Sequence, residues 1–157
     1  MNDYPYLPEG RTIKYVHITD SFMAEAKRVR DEDSTERNHP TGAVVVLVGV
    51  IIGKAGNQAA LKNKKLQEFH KNGLCMRRLL HIPSGQKYWL CPGCAKCENH
   101  AEWSSVRDAL KRKDNIRGAD LYLFGHWWCC KPCWDSMIAA GIRDVYLVEG
   151  ATEQFKR

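Results

Sequence analysis

The stretch Cys130-Lys131-Pro132-Cys133 is decisive for this chain when it is taken together with His100-Ala101-Glu102 upstream. One imidazole and two thiolates make a three-ligand zinc site, and a carboxylate two residues from the imidazole can act on a water bound to that metal. Pro132 predicts a helix start directly after Cys130, where the partial positive charge of the helix favours thiolate over thiol. The pattern therefore indicates a hydrolytic zinc enzyme.

The order of these motifs resembles that of the zinc nucleobase deaminases, whose signature is His-x-Glu followed by Pro-Cys-x-x-Cys. Neighbouring segments resemble the deoxycytidylate/cytidine deaminase-like superfamily as well. Thr41–Val46 and Val50–Asn57 are similar to its opening hairpin, and Trp134–Val148 is similar to the helix, glycine stop and strand that follow its second cysteine. The resemblance covers roughly residues 20 to 150, apart from residues 58 to 99.

This resemblance implies a catalytic zinc ion held by His100, Cys130 and Cys133, with water in the fourth position and Glu102 as the proton shuttle. The implied mechanism is deprotonation of the zinc-bound water by Glu102 and attack of the hydroxide on C4 of a cytosine. Glu102 then delivers protons to the ring nitrogen and to the leaving ammonia. The chain departs from the family pattern at Cys129, which stands where the family has a proline.

Two alternatives explain these residues without catalysis. Asn99-x-x-Glu102 is an acceptable capping box, with Asn99 as the N-cap and Glu102 at the third helical position. Cys129 as a fourth ligand would close the zinc site and make it structural. A structural site does not need a glutamate beside its histidine, and this favours the catalytic interpretation.

A second set of thiols forms a Cys-x-x-Cys-x-x-Cys pattern in a predicted long loop at residues 74–98. Its members are Cys91, Cys94 and Cys97. Three thiols at this spacing in a Pro-Gly loop predict a structural zinc site that would tie the loop down. Cys75 is the best fourth ligand, and His70 and His81 are other candidates. The alternative is a set of unligated, half-buried thiols.

Three further residues are candidates for contact with a substrate. The resemblance places Asn57 where the family's asparagine meets the sugar, although it could also be a turn residue after Gly56. Trp127 and Trp128 could stack on a base, or they could fill the core where a strand ends. We expect one of the two tryptophans to face the pocket.

Local patterns predict the order of the helices and strands. Asp20 is the predicted N-cap of a first helix. The other predicted elements are a hairpin at 44–53, helices at 59–71, 100–112 and 132–140, and strands at 121–124 and 145–148, after an irregular arm at 1–18. This order predicts the α/β class, as a three-layer α/β/α sandwich around a mixed sheet. The length predicts a single domain over residues 1–157, with a cysteine-containing insert at about 58–99.

Composition narrows the classes of partner. The N-terminus lacks the basic-then-apolar pattern of a secretion signal, so the seven cysteines indicate reduced, metal-binding thiols in a cytoplasmic protein. The longest apolar run, at 43–52, is too short to span a bilayer, so we expect no membrane partner. A formal charge of +6 favours an anionic ligand such as a nucleotide or a single-stranded nucleic acid. The family resemblance also implies a homo-oligomer.

Three functions fit this sequence. The first is a free-nucleotide deaminase resembling deoxycytidylate deaminase, which converts dCMP to dUMP; the long insert, the initial helix and the scattered basic charge favour it. The second is a base deaminase acting on a polynucleotide, either tRNA or single-stranded DNA, which the net charge and the Trp and Lys residues favour. The third is a non-catalytic zinc-containing binding domain, and Glu102 argues against it.

Overall fold

A mixed five-stranded sheet forms the centre of the protein, in a computed structural model that describes residues 5–83 and 85–156. The strands in chain order are β1 (Ile13–Val16), β2 (Gly42–Leu47), β3 (Val50–Gly56), β4 (Asp120–Phe124) and β5 (Val145–Val148). Their order across the sheet is β1-β5-β4-β2-β3. β1, β5 and β4 are parallel, whereas β2 is antiparallel to both β4 and β3. The predicted mixed sheet is confirmed.

Helices cover both faces of this sheet. In the described residues they are α1 (Ser21–Asp33), α2 (Lys64–Asn72), α3 (Met76–Leu79), α4 (Ala101–Arg112), α5 (Lys131–Ala140) and α6 (Ala151–Phe155). A Cβ atom on Gly42 would collide with the backbone of α1, and one on Gly53 would collide with the backbone of α4. Gly42 pairs with Gly56 of β3, so these two residues lie on the same face of the sheet. Successive residues of a strand alternate between its faces, and Gly53 therefore lies on the other face from Gly56. Helices α1 and α4 thus pack on opposite faces of the sheet. The predicted three-layer sandwich is therefore confirmed.

The first strand corrects the prediction that residues 1–18 form an irregular arm. Ile13–Val16 is an edge strand that pairs in parallel with Val145–Val148 at the other end of the chain. A four-residue strand carries too little periodicity to be recognised locally, and its partner is far away in sequence. Residues 1–4 of the predicted arm lie outside the described residues.

The insert also differs from its prediction. α2 begins only after Asn63, whose side chain accepts hydrogen bonds from the backbone N–H groups of Lys65 and Leu66. The apolar Leu66 and Phe69 of this helix are exposed, whereas the polar Gln67 and His70 are buried. The predicted loop at 74–98 contains α3 and two short 3-10 turns, Tyr88–Leu90 and Cys97–Asn99. Nowhere in residues 5–83 and 85–156 is a helix long and apolar enough to cross a bilayer.

Candidate metal centre and active-site pocket

The three residues proposed from the sequence as zinc ligands come together at the starts of two helices. His100 Nδ1 lies 3.6 Å from Cys130 Sγ and 3.4 Å from Cys133 Sγ, and the two sulfurs are 3.3 Å apart. A tetrahedral zinc ion with bonds of about 2.0–2.3 Å needs neighbouring ligand atoms roughly 3.3–3.8 Å apart. The donor set and its spacing therefore fit one zinc ion.

Local sequence explains why these ligands converge. Cys130 is the extended residue before α5, and the Pro132 ring sits in the first turn of that helix. Cys133 follows in the same turn, so both sulfurs project toward the N-terminal end of the helix. His100 holds the equivalent position before α4. Helix α5 then ends at Gly141, whose φ of +86° is the left-handed conformation that glycine adopts without strain.

The His100 imidazole is held in the orientation that a metal ligand needs. Its Nε2 lies 3.2 Å from the carbonyl oxygen of Ala95. Burial lowers the pKa of His100 to about 4, so the ring is neutral. With the single ring proton donated from Nε2 to Ala95, the lone pair of Nδ1 faces the two sulfurs.

Glu102 is a buried carboxyl group beside this site, and the capping-box alternative for it is wrong. The N-cap of α4 is His100, with no side-chain capping bond, while Asn99 belongs to the preceding 3-10 turn. Glu102 instead contacts the thiols of Cys129 and Cys133 and lines the pocket described below. Burial raises the pKa of Glu102 to about 7, which suits a group that must both accept and release a proton.

Cys129 does not join the metal-ligand group of the described residues. It is fully buried, and its thiol hydrogen-bonds to the Glu102 carboxylate. Burial raises the pKa of Cys129 well above its ordinary value, which keeps the thiol protonated. The candidate zinc site therefore has three protein ligands and an open side, the arrangement typical of catalytic zinc.

A cavity of about 630 Å³ opens onto this site. His100, Glu102 and Cys130 lie at its metal end. The other lining residues that matter for a ligand are Asn57, Arg77, Arg78, His126, Trp127, Trp128 and Lys156. The cavity thus joins the candidate metal site and Glu102 to aromatic and cationic side chains.

Asn57 lies in the cavity wall, and most of its hydrogen-bonding capacity is used by the protein. Its Oδ1 accepts from Ser34 Oγ at 2.6 Å and from the backbone N–H of Thr41 at 2.9 Å, while its Nδ2 donates to His39 O at 2.9 Å. An amide side chain has two donor hydrogens. Among the described contacts, only one of these two hydrogens is used.

Both tryptophans line the cavity, where the sequence led us to expect one. Trp128 donates from Nε1 to Tyr6 O at 2.7 Å, which fixes its ring. The Lys156 ammonium lies 4.7 Å from the centre of the Trp127 ring. The backbone N–H of Trp128 donates to Nδ1 of the half-buried His126, which also lines the cavity.

A second cluster of potential metal ligands lies in the insert. Its members are His70, Cys75, Cys91 and Cys94, all of them buried, with ligand atoms within 4.8 Å of one another. Cys75 Sγ is 3.5 Å from Cys94 Sγ, which is 3.6 Å from His70 Nε2. A Cβ atom on Gly93 would overlap the His70 ring, so only glycine fits there. Three thiols and one imidazole form a closed set typical of structural zinc.

This cluster differs from the prediction in one ligand. Cys97 was expected in it, but its thiol hydrogen-bonds to Cys130 of the other site. The reason is local: Ala95 pairs with Ala59, and the chain then turns at Cys97 into the segment leading to His100. His70 takes the fourth place. His70 was one of the alternative fourth ligands named from the sequence, and its imidazole lies in the cluster.

The comparisons with known proteins agree with this site. Residues 17–149 match the model of the cytidine and deoxycytidylate deaminase zinc-binding region, and the chain belongs to this family. It is a zinc-dependent deaminase. No curated protein matches the chain.

Two solved structures share the fold. The dCMP deaminase of the cyanophage S-TIM5 in apo form is 20% identical, with a TM-score of 0.51 over 88% of this chain and 90% of that chain. The same enzyme in complex with dCMP and dUMP is 19% identical, with a TM-score of 0.50 over 87% of this chain and 85% of that chain. At this level of identity the likeness concerns the fold.

Proposed function

We propose that the protein deaminates a free cytosine nucleotide, dCMP being the first substrate to test, and releases dUMP and ammonia. The observation that carries this proposal is the 630 Å³ cavity, which has the three-ligand site and Glu102 at one end and cationic side chains in its wall. Small-ligand sites typically measure about 300–1,000 Å³, and a nucleoside monophosphate fits within that range. The fold is also that of a dCMP deaminase.

His100, Cys130 and Cys133 would hold the catalytic zinc. A zinc ion bound there supplies Lewis acidity, which makes water a good nucleophile at neutral pH. Glu102 takes a proton from the attacking water, passes one to the ring nitrogen and assists the departing amino group. The C4–O bond forms first and the C4–N bond then breaks, so water and the exocyclic amine become a carbonyl and ammonia.

The remaining cavity residues would bind the substrate. Trp127 and Trp128 present aromatic surface to the base. The free N–H of Asn57 would meet a sugar hydroxyl. The shape of this pocket is fixed by the bonds that Asn57 and Trp128 make to the backbone.

A substrate phosphate would pair with the cations in the wall. Arg78 Nη1 donates to Asn38 Oδ1 at 3.2 Å, which directs the guanidinium along the cavity. Lys156 stands over Trp127 in the same wall. A guanidinium and an ammonium together favour a phosphate monoester over an uncharged nucleoside.

The second cluster would hold a structural zinc. The buried set of His70, Cys75, Cys91 and Cys94 is complete with four protein ligands, so it has no open position for a substrate. Burial lowers the pKa of His70, which keeps its imidazole neutral and able to bind metal.

A polynucleotide substrate is the second candidate. The insert exposes Leu66, Phe69 and Trp89 beside lysines, a mixture that could stack and pair with a single strand. The test is ammonia release from dCMP, CMP, cytidine, guanine and a short single-stranded oligonucleotide, with wild type and Glu102→Ala. Release from dCMP alone, lost in Glu102→Ala, supports the proposal. Release from the oligonucleotide but not from dCMP replaces it with the second candidate.

A further inference from the structure

Arg77 is a buried charge between the two clusters. Its Nε donates to Gln86 O at 2.9 Å, and its Nη2 donates to Pro83 O at 2.9 Å. Its guanidinium lies 3.9 Å from the centre of the Tyr88 ring. Among the residues that the structure describes, no ion pair involves Arg77. A buried guanidinium is costly unless something offsets its charge.

The second cluster can offset that charge. A divalent ion bound by three thiolates and a neutral imidazole carries a formal charge of minus one. Cys94 belongs to this cluster, and its thiol hydrogen-bonds to the Arg77 side chain. The negative charge of this metal site would stabilise the buried guanidinium of Arg77.

The Tyr88 ring also contacts His100, the proposed zinc ligand. The ring of Tyr88 packs edge-on against that of His100, with centroids 5.1 Å apart and an interplanar angle of 86°. The hydroxyl of Tyr88 accepts from the backbone N–H of Gly85 at 2.9 Å. His100 is therefore held on one side by Tyr88 and at Nε2 by the carbonyl of Ala95, the residue directly after Cys94.

We infer that Arg77 is a positioning residue for the catalytic metal: it clamps Tyr88 against His100 and so sets the direction of Nδ1. The inference rests on the proposed function only in taking His100 as a zinc ligand. Arginine suits this role because its planar group stacks on a ring while it donates to two carbonyls, and lysine cannot do both. Groups that orient a metal-binding histidine typically change metal affinity or activity by about 10- to 100-fold when they are removed.

The test is the affinity of each site for Zn²⁺, measured by competition with a chromogenic chelator in the absence of substrate. Absorption of the Co²⁺-substituted protein assigns the sites, because three thiolates and two thiolates give different charge-transfer intensities. Arg77→Lys keeps the charge and removes the stacking. We expect it to weaken the two-thiolate site by about 10- to 100-fold and to leave the three-thiolate site near its wild-type affinity.

Two variants of Tyr88 and one control complete the design. Tyr88→Leu removes the ring and should match Arg77→Lys, whereas Tyr88→Phe keeps the ring and should stay close to wild type. Arg112→Lys makes the same change on an exposed arginine of α4 and should have no effect on zinc affinity. Wild-type affinity of the two-thiolate site in either Arg77→Lys or Tyr88→Leu overturns the inference. If Arg77→Lys does not fold, Tyr88→Leu decides alone.

The two proposals fail separately. Zinc affinity is measured without turnover, so a wild-type protein that releases no ammonia from any tested base would end the proposed function and leave this inference standing. If ammonia is released and zinc affinity is unchanged in the Tyr88 and Arg77 variants, the inference fails and the deaminase proposal stands.

Discussion

Replacement of Glu102 by glutamine separates proton transfer from every other contribution of this side chain. Glu102 is 5% exposed, does not cap α4, and hydrogen-bonds to the thiols of Cys129 and Cys133. Glutamine keeps the volume and one carbonyl oxygen, so at most one thiol hydrogen bond is weakened. Since a neutral hydrogen bond contributes about 0.5–1.5 kcal/mol, the free energy of unfolding should fall by about 1.5 kcal/mol or less.

Turnover should respond far more strongly. General acid–base catalysis contributes about 10²- to 10⁴-fold, equivalent to about 3–5 kcal/mol of activation free energy. Glu102 would move protons at more than one step, so we expect the upper part of that range. The assay is ammonia release from dCMP, together with zinc content and a thermal melt. Glu98→Gln is the matched control, because Glu98 is an exposed glutamate just before His100. Glu102→Gln with full zinc and activity within tenfold of wild type would refute the reasoning.

Three further outcomes follow from the same geometry. The purified protein should hold two zinc ions per chain, as measured by elemental analysis. By the same measurement, Cys94→Ser should remove about one ion, whereas Cys97→Ser should leave the ion of the insert in place. Gly93→Ala should displace the His70 ring and release the same ion, seen as a lower zinc content and melting temperature. Arg78→Ala should raise KM for dCMP about tenfold with little change in kcat, since losing a phosphate contact costs roughly 1–2 kcal/mol; an unchanged KM would remove Arg78 from the phosphate subsite.

The parts of the site that could be predicted from sequence are those set by local motifs. Cys130 and Cys133 share one helical turn, and the proline between them marks the helix start. His100 and Glu102 are separated by a single residue, so one helix start places both. Asp20 was likewise predicted as the N-cap of α1, and its side chain accepts from the N–H groups of Phe22 and Met23.

What could not be predicted depends on partners distant in sequence. β1 has only four residues and is defined by its pairing with β5. Cys97 has the same spacing from Cys94 as Cys94 has from Cys91, so spacing alone cannot show that it faces Cys130. His70 could be named only as one of several candidate ligands, because the large apolar residues of its helix point to solvent and the buried face of α2 is polar, the opposite of the usual amphipathic pattern.

The exposed apolar residues and buried polar residues of the insert bear on what stabilises it. Its buried thiols form a cluster of their own with Tyr88, apart from the main core. Many of its large apolar residues are exposed instead: Leu66, Phe69, Leu74, Leu79, Leu80 and Trp89. Because burial contributes only in proportion to the apolar area removed from water, this segment gains little from it, and the proposed structural zinc would supply the difference. The insert also carries Ala95 and Tyr88, which both contact His100. Binding of a metal ion in the insert would therefore also fix the position of His100.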